Sequence, residues 1–341
     1  MLVIDGSQGE GGGQILRSSL SLSLITRTPF RIERIRAGRD KPGLQRQHLA
    51  AVRAAAAVGS AEIEGDSLGS QNLVFRPGML SPGRHRFSTG GAGSTLLVLQ
   101  TVLPPLLTAG GPSQLSLEGG THNIFAPPFD FVAKTFLPLV NRMGPTVSAT
   151  LDRHGFFPGG GGAFHVEIQP APLRPIRVLT RGPIKAARLR ALLAGGLPRH
   201  IAERELSVAA RKLPVAPVEP EIEEIRHSAG PGNVLMIELE SDGHTEVFTG
   251  FGEKGVRAEA VAESAVAEAR AYLDHGAPVG EHLADQLLLP MALAGGGAFL
   301  TGPLSRHAAT NIEVIERFLP VSFAAIPGDD GTVRVECGPR E

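Results

Sequence analysis

The sequence predicts a mixed α/β (α+β) protein of three repeated βαβαββ units, with a smaller α/β domain inserted into the third. Three observations predict this. An order of strand, Gly-rich turn, helix, strand, helix and two closing strands recurs twice without a break in the first half of the chain. The same order starts a third time near Ile176, yet its helix arrives only at Glu281. The segment between them has a strand and helix alternation of its own.

Unit one opens on strand Leu2–Asp5, a Gly-rich turn and a helix over 14–25. A strand over 30–35 and a helix over 42–58 follow, the helix opened by Pro42 at its first turn, where a missing N–H does no harm. Strands over 61–64 and 72–76 close the unit across a Gly-Asp/Gly-Ser turn region. Unit two repeats the order with a strand over 85–88, the turn 90–93, a helix over 94–107, a strand over 114–118, a helix over 128–143, and strands over 146–152 and 163–169. Unit three takes a strand over 176–180, a helix over 281–293, a strand over 298–300, a helix over 311–318, and strands over 321–325 and 332–336. The inserted segment, 183–278, reads as a strand over 189–193, a helix over 198–211, paired strands over 234–240 and 246–250, and a helix over 258–273. Pro214, Pro217 and Pro220 mark a stiff connection inside it. Residues 1–182 and 279–341 then form the larger domain.

With 341 residues the chain can bury a substantial core. Lys plus Arg is 33 against 34 Asp plus Glu, so any nucleic-acid site must be local. One such region is visible. Between Arg17 and Arg46, Arg17, Arg27, Arg31, Arg34, Arg36, Arg39, Lys41 and Arg46 face only Glu33 and Asp40. Between Glu219 and Arg270, twelve acids outnumber four bases, which repels a phosphate backbone. The single Cys337 excludes an internal disulfide and fits a reducing, cytoplasmic setting. The uncharged run 286–305 is broken by Pro290, Pro303 and Gly295–Gly297, so it predicts a buried helix, a turn and a strand and no membrane span.

Three stretches carry chemistry. Gly302-Pro303 is a turn signal ahead of a short polar run ending in His307. Thr310 or Asn311 can cap the helix beyond, whose apolar stripe is Ile312, Ile315, Phe318 and Leu319. A histidine in the loop before a helix N-terminus can cap that helix; equally, it can attack a phosphorus held by the free N–H groups. The turn Gly9-Glu10-Gly11-Gly12-Gly13 follows a strand and opens a helix. It serves as a tight turn or as a phosphate cradle, and it matches no P-loop or dinucleotide fingerprint. Arg17 falls on the first turn of the next helix, toward the same anion. Asp285 stands near a helix start and suits a dipole-favoured cap. Gln100, in the apolar run STLLVLQTVLP, needs hydrogen-bond partners if buried. His122, His154, His200 and His244 show no metal-ligand spacing, and Pro158 to Gly162 reads as a hairpin turn.

The motifs GSQGEGGGQILRSSLSLS (6–23), IRAGRDKPGLQRQH (35–48), GGAGSTLLVLQTVLP (90–104), GPGNVLMIE (230–238), GEHLADQLLLPMALAG (280–295) and SRHAATNIEVIERFL (305–319) run from end to end of the chain. Together the sequence resembles the RNA 3′-terminal phosphate cyclase family, in its catalytic branch. The resemblance implies three units like the C-terminal domain of a bacterial translation initiation factor, plus a thioredoxin-like insert. It implies ATP-dependent conversion of an RNA 3′-phosphate to a 2′,3′-cyclic phosphate, through AMP linked to His307 and an RNA(3′)pp(5′)A end. His282, Leu283, Ala284, Asp285, Gln286 and Gln100 would contact ATP, with Asp285 orienting His307. Glu10 would lie near the nucleotide and a divalent metal, Mg²⁺ or Mn²⁺. Arg17, Arg36, Arg39 and Gln47 would hold the RNA terminal phosphate. Position 282 is His where the family has an aromatic residue, so stacking by imidazole is the expected substitute. Two rivals are a non-catalytic RNA-binding relative of ribosome assembly and an enolpyruvyl transferase on a similar repeat. The partners implied are ATP and RNA; a homodimer is compatible with the sequence, which does not fix the oligomeric state.

Overall fold

The structure is a computed structural model describing residues 1–215 and 220–340. Part of the proline-marked connection, 214–220, lies outside the described residues. Strands β1 (Leu2–Asp5), β2 (Phe30–Glu33), β3 (Glu62–Glu64) and β4 (Leu73–Arg76) form a sheet in the order β1-β2-β4-β3. Its first pair is parallel and the other two are antiparallel. Strands β5 (Arg84–Ser88), β6 (Ser113–Gly119), β7 (Thr146–Arg153) and β8 (Gly162–Gln169) take the same order, β5-β6-β8-β7. The third sheet combines β9 (Ile176–Val178) with β14 (Gly297–Thr301), β15 (Val321–Pro327) and β16 (Val333–Pro339), in the order β9-β14-β16-β15. Strand β9 pairs in parallel with β14 across more than a hundred residues of intervening chain.

That intervening chain builds the fourth sheet from β10 (Ile184–Ala194), β11 (Glu221–Ile225), β12 (Gly232–Ser241) and β13 (Thr245–Phe251), ordered β11-β10-β12-β13. Strand β11 was not expected. Its sequence, EIEEI, offers two apolar residues among three glutamates, and its strand form rests on parallel pairing with β10. Helices α6 (His200–Lys212) and α7 (Ala258–Asp274) supply the apolar core of this sheet, which is separate from the main core.

The main core is centred on α1 (Gln14–Thr26). Leu20, Leu22 and Leu24 are at most 1 % exposed, each worth roughly 1.5–3 kcal/mol of burial. Between them stand small serines, which let neighbouring helices approach and stay satisfied: Ser21 donates to the Thr101 carbonyl at 2.6 Å and Ser23 to the Thr28 carbonyl at 2.7 Å. Around α1 lie α2 (Arg46–Gly59), α3 (Thr95–Leu107) and α9 (Arg306–Phe318), with α8 (Glu281–Leu293) beside α9.

The second helices of units one and two differ from the expected bounds. The chain from Pro42 to Gln45 is a loop, and α2 starts at Arg46. Its start is fixed by a reciprocal cap in which the Gln45 N–H donates to His48 Nδ1 at 3.0 Å. The second helix of unit two is broken into α4 (Phe129–Phe131), a π segment Val132–Phe136, and α5 (Leu137–Arg142). The Leu137 N–H reaches back to the Val132 carbonyl, one residue further than in an α-helix. No helix among the described residues is long and apolar enough to cross a membrane; the uncharged run ends in α8 and β14.

Candidate active site

The N-terminal ends of α1, α8 and α9 converge, and their free N–H groups and dipoles favour an anion. His307 does not precede α9. It sits in the first turn, because Ser305 caps the helix by accepting from the Ala308 N–H at 3.2 Å. Thr310 and Asn311, the expected caps, lie inside the helix and face other partners. Thr310 Oγ1 accepts from the Glu10 N–H at 3.1 Å and donates to the Arg306 carbonyl. Asn311 donates to the Asp285 carboxylate at 3.1 Å and to its carbonyl at 3.3 Å.

The glycine turn is pressed against α9. A Cβ on Gly9, whose φ is +57°, would stand 2.1 Å from Thr310 Oγ1. Gly13 is needed for a different approach: a Cβ there would meet His48 Nε2 at 2.5 Å and Arg17 Nη1 at 2.8 Å. Glu10 is carried on this turn; its carboxylate pairs with Arg39, and its other oxygen lies 3.7 Å from His307 Nδ1. Among the described residues no cluster of three His, Cys, Asp or Glu could hold a metal ion by itself.

Asp285 does not touch His307. Gln14, in the first turn of α1, stands between them: its Nε2 donates to Asp285 Oδ1, and its Oε1 lies 3.0 Å from His307 Nδ1. From the other carboxylate oxygen the network continues. Gln286 donates to Asp285 Oδ2 at 3.0 Å, Gln100 donates to Gln286 Oε1 at 3.0 Å, and Arg17 Nε donates to Gln100 Oε1 at 2.9 Å. Gln100 is thus satisfied by side chains, not by backbone. Arg17, Gln100, Gln286 and Asp285 also line a small recess of about 30 Å³.

Burial pushes the Asp285 carboxyl above its ordinary value, against the donors around it. The His307 imidazole is held below its ordinary value by partial burial and by Arg17 and Arg39, with Asp285 opposing. Its side chain is nevertheless 55 % exposed, so a ligand can reach it. Burial lowers Arg17 to about 10, which leaves it charged at neutral pH.

Of the expected nucleotide contacts, His282 is exposed beside Glu268, whose carboxylate raises its pKa. Leu283 and Ala284 are 0 % and 2 % exposed; their side chains pack in the core, so only backbone at the start of α8 remains for a ligand. Arg36 is half-buried and donates to the carbonyls of Lys41 and Gly43, while Arg39 donates to the Glu10 carbonyl at 3.1 Å. Gln47 is on the first turn of α2, its Cβ 3.2 Å from where a Gly93 Cβ would stand. The turn of unit two thereby meets the basic stretch of unit one. The glycine-rich hairpin after Pro158 packs on protein, with Gly160 against Gly91 and Gly159 against Ala229.

Two residues at the site escaped sequence reasoning. Gln14 sits at the head of an apolar helix, and its polarity there was the available signal. His48 was readable only as the partner of Gln45 three residues earlier; burial and the nearby Arg17 and Arg36 push its imidazole down to about 3. Since its Nδ1 accepts from the Gln45 N–H, its neutral ring offers an N–H at Nε2, beside Arg17.

A second charged cluster joins unit two to the fourth sheet. Asp130 accepts from His122 at 3.0 Å and pairs with Arg190, and Lys134 bridges Asp130 at 3.3 Å and Glu238 at 2.5 Å. Thr121, His122 and Asp130 are at most 6 % exposed, which makes the inner half of this cluster a fastening, while Lys134, Arg190 and Glu238 line an open recess on its outer side.

A family model described as RNA 3′-terminal phosphate cyclase matches residues 8–325. The RNA 3′-terminal phosphate cyclase of Koribacter versatilis (strain Ellin345) is 53 % identical over 342 residues, covering 100 % of this chain and 96 % of the relative. Proteins of the same name from Salmonella enteritidis PT4 and Ectopseudomonas mendocina are each 50 % identical, covering 97 % and 96 % of this chain and 97 % and 95 % of those relatives.

Proposed function

The chain belongs to the RNA 3′-terminal phosphate cyclase family, and on that premise we propose that it converts an RNA 3′-phosphate to a 2′,3′-cyclic phosphate at the expense of ATP. The observation that carries this reading is His307. A ring nitrogen stays free on a neutral, accessible imidazole at a helix N-terminus, among arginines. That nitrogen attacks the α-phosphorus of ATP; a P–N bond forms and pyrophosphate leaves. A terminal RNA phosphate oxygen then attacks the same phosphorus and releases His307, giving RNA(3′)pp(5′)A. The vicinal 2′-OH finally attacks the RNA phosphorus, loses its proton and expels AMP.

Gln100, Asp285, Gln286 and the backbone at the start of α8 are the proposed nucleotide contacts, with the His282 ring free to stack. Arg17, Arg36, Arg39 and Gln47 are the proposed RNA phosphate contacts, Arg supplying planar two-pronged donors. Glu10 fits a Mg²⁺ or Mn²⁺ ion held by one carboxylate together with substrate phosphates and water, the usual arrangement where triphosphates bind. Such an ion would neutralise charge on the leaving pyrophosphate. We take 1–182 with 279–341 as the catalytic domain and 183–278 as the insert. A cytoplasmic location suits the lone buried Cys337, whose thiol burial pushes up to about 11. The family match over residues 8–325 sets aside the enolpyruvyl transferase reading, and the intact His307 motif weighs against a non-catalytic relative.

The test is incubation with α-labelled ATP and a divalent metal. An acid-labile, base-stable label on the protein, absent in His307→Ala, supports the reading. A label that persists in His307→Ala removes His307 as the nucleophile.

A further inference from the structure

We infer that Gln14 is the positioning residue that fixes the His307 ring tautomer, holding the proton on Nδ1 and leaving Nε2 bare for attack. This deepens the reading above and rests on it only for the meaning of the attack.

The inference follows from donor and acceptor identity along one network. Asp285 Oδ1 faces the Gln14 and Asn311 amides, and Oδ2 faces Gln286. Three amide donors on one carboxylate leave it an acceptor only. Gln14 must therefore turn its NH₂ to Asp285, because the flipped amide would set oxygen against carboxylate oxygen. Its carbonyl oxygen is then left facing His307 Nδ1 at 3.0 Å. An oxygen acceptor there requires a proton on Nδ1. The opposite arm agrees without adjustment. Arg17 can only donate, so Gln100 presents its oxygen to Arg17 and its NH₂ to Gln286, which presents its own NH₂ to Asp285. Both arms converge on the carboxylate, and no amide in the network can be flipped alone. The Asn311 amide is fixed in the same way, its NH₂ facing the Asp285 carboxylate and carbonyl and its oxygen accepting from Ser18 at 2.7 Å. The neutral Gln14 amide thereby transmits the orientation of Asp285 to the ring; the Glu10 carboxylate oxygen 3.7 Å from the same Nδ1 lies beyond hydrogen-bond distance, its partner oxygen being paired with Arg39.

The experiment is ¹⁵N spectroscopy of the intact protein labelled at histidine ring nitrogens, with His307 assigned by its loss in His307→Ala. At a pH where the ring is neutral, the wild-type His307 should show protonated Nδ1 and bare Nε2. Gln14→Met keeps the length and removes both hydrogen bonds. In it the signal should move toward protonated Nε2, and single-turnover adenylylation should fall about 10²-fold or more, as for other wrong-tautomer histidines. The KM for ATP should change little. Protonated Nε2 in the wild-type protein overturns the inference, with no variant needed. An unchanged tautomer in a folded Gln14→Met overturns it as well. Failure of the cyclase reading would appear separately, as absence of AMP on His307 with the tautomer as described.

Discussion

Arg17 Nε donates to Gln100 Oε1 at 2.9 Å. One residue belongs to the proposed RNA set and the other to the proposed nucleotide set, so the two sets share a side chain contact. Arg17→Ala should therefore slow both AMP loading of the protein and transfer of AMP to RNA. Among the described residues, Arg36 bonds only to the carbonyls of Lys41 and Gly43. Arg36→Ala should load normally and transfer poorly, and each lost phosphate contact should flatten the salt dependence of RNA binding by roughly 0.7 in slope. Separate single-turnover measurement of loading and transfer distinguishes the two; equal damage by both variants contradicts the division.

Adduct formation should persist below the ordinary histidine range. The sign follows from a lowered pKa: the ring keeps its lone pair down to a lower pH than a free imidazole, whose midpoint is about 6.5. The loading rate should hold its plateau through that value and fall only in stronger acid. A fall centred at or above 6.5 would contradict the lowered value.

Asp130→Ala should weaken the fastening of the fourth sheet to unit two. It leaves Lys134 with Glu238, Arg190 with Glu223 and Glu238, and the buried His122 without its acceptor. An unsatisfied buried hydrogen-bonding group costs about 1–3 kcal/mol, and the remaining carboxylates keep the loss below that of an uncompensated buried charge. Burial raises the Asp130 pKa, but His122, Arg190 and Lys134 outweigh it, so the carboxyl lies below its usual range. Its contribution is therefore present above about pH 3.9 and is lost as pH falls through the lower folded value. Urea midpoints of the two proteins should differ at neutral pH and converge in strong acid.

An RNA ending in a 2′-deoxy, 3′-phosphate nucleotide should accept AMP and then stall, accumulating the (3′)pp(5′)A end. The ring closure uses the neighbouring hydroxyl of the same sugar, whose effective concentration reaches ~10⁵ M or more when well oriented. Gel mobility and phosphatase resistance report the outcome. AMP release from the 2′-deoxy end at the rate of the RNA end would rule out the 2′-OH as attacking group.

The repeated order of elements was legible because each unit carries its own strand and helix periodicities. What sequence could not supply was set by partners distant in the chain. Strand β11 is a strand because β10 lies beside it. The start of α9 moved from Asn311 to Arg306 because Ser305 finds the Ala308 N–H, and Asn311 is drawn to Asp285. At the site, His307, Asp285 and Gln100 stood out by residue type. Gln14 did not, since its role exists only once Asp285 and His307 flank it from two other helices. Leu283 and Ala284 show the reverse case: the resemblance, and nothing in the residues themselves, implied nucleotide contact, and their side chains pack in the core so that only their backbone is left to make it.

The π segment Val132–Phe136 sets the phase of a helix with two obligations. Before and within it, Asp130 and Lys134 meet Arg190 and Glu238 of the fourth sheet. At its end, Phe136 lines the recess beside Arg17 and Gln100. Each residue advances an α-helix by about 100°, so one extra residue rotates everything downstream by that angle. A chain shortened by one residue here would regain regular hydrogen bonding and lose the ability to face both ways. Length is consequently as constrained in this helix as residue identity is in its neighbours, and a single deletion should be tolerated far less well than substitution at the exposed positions alongside it.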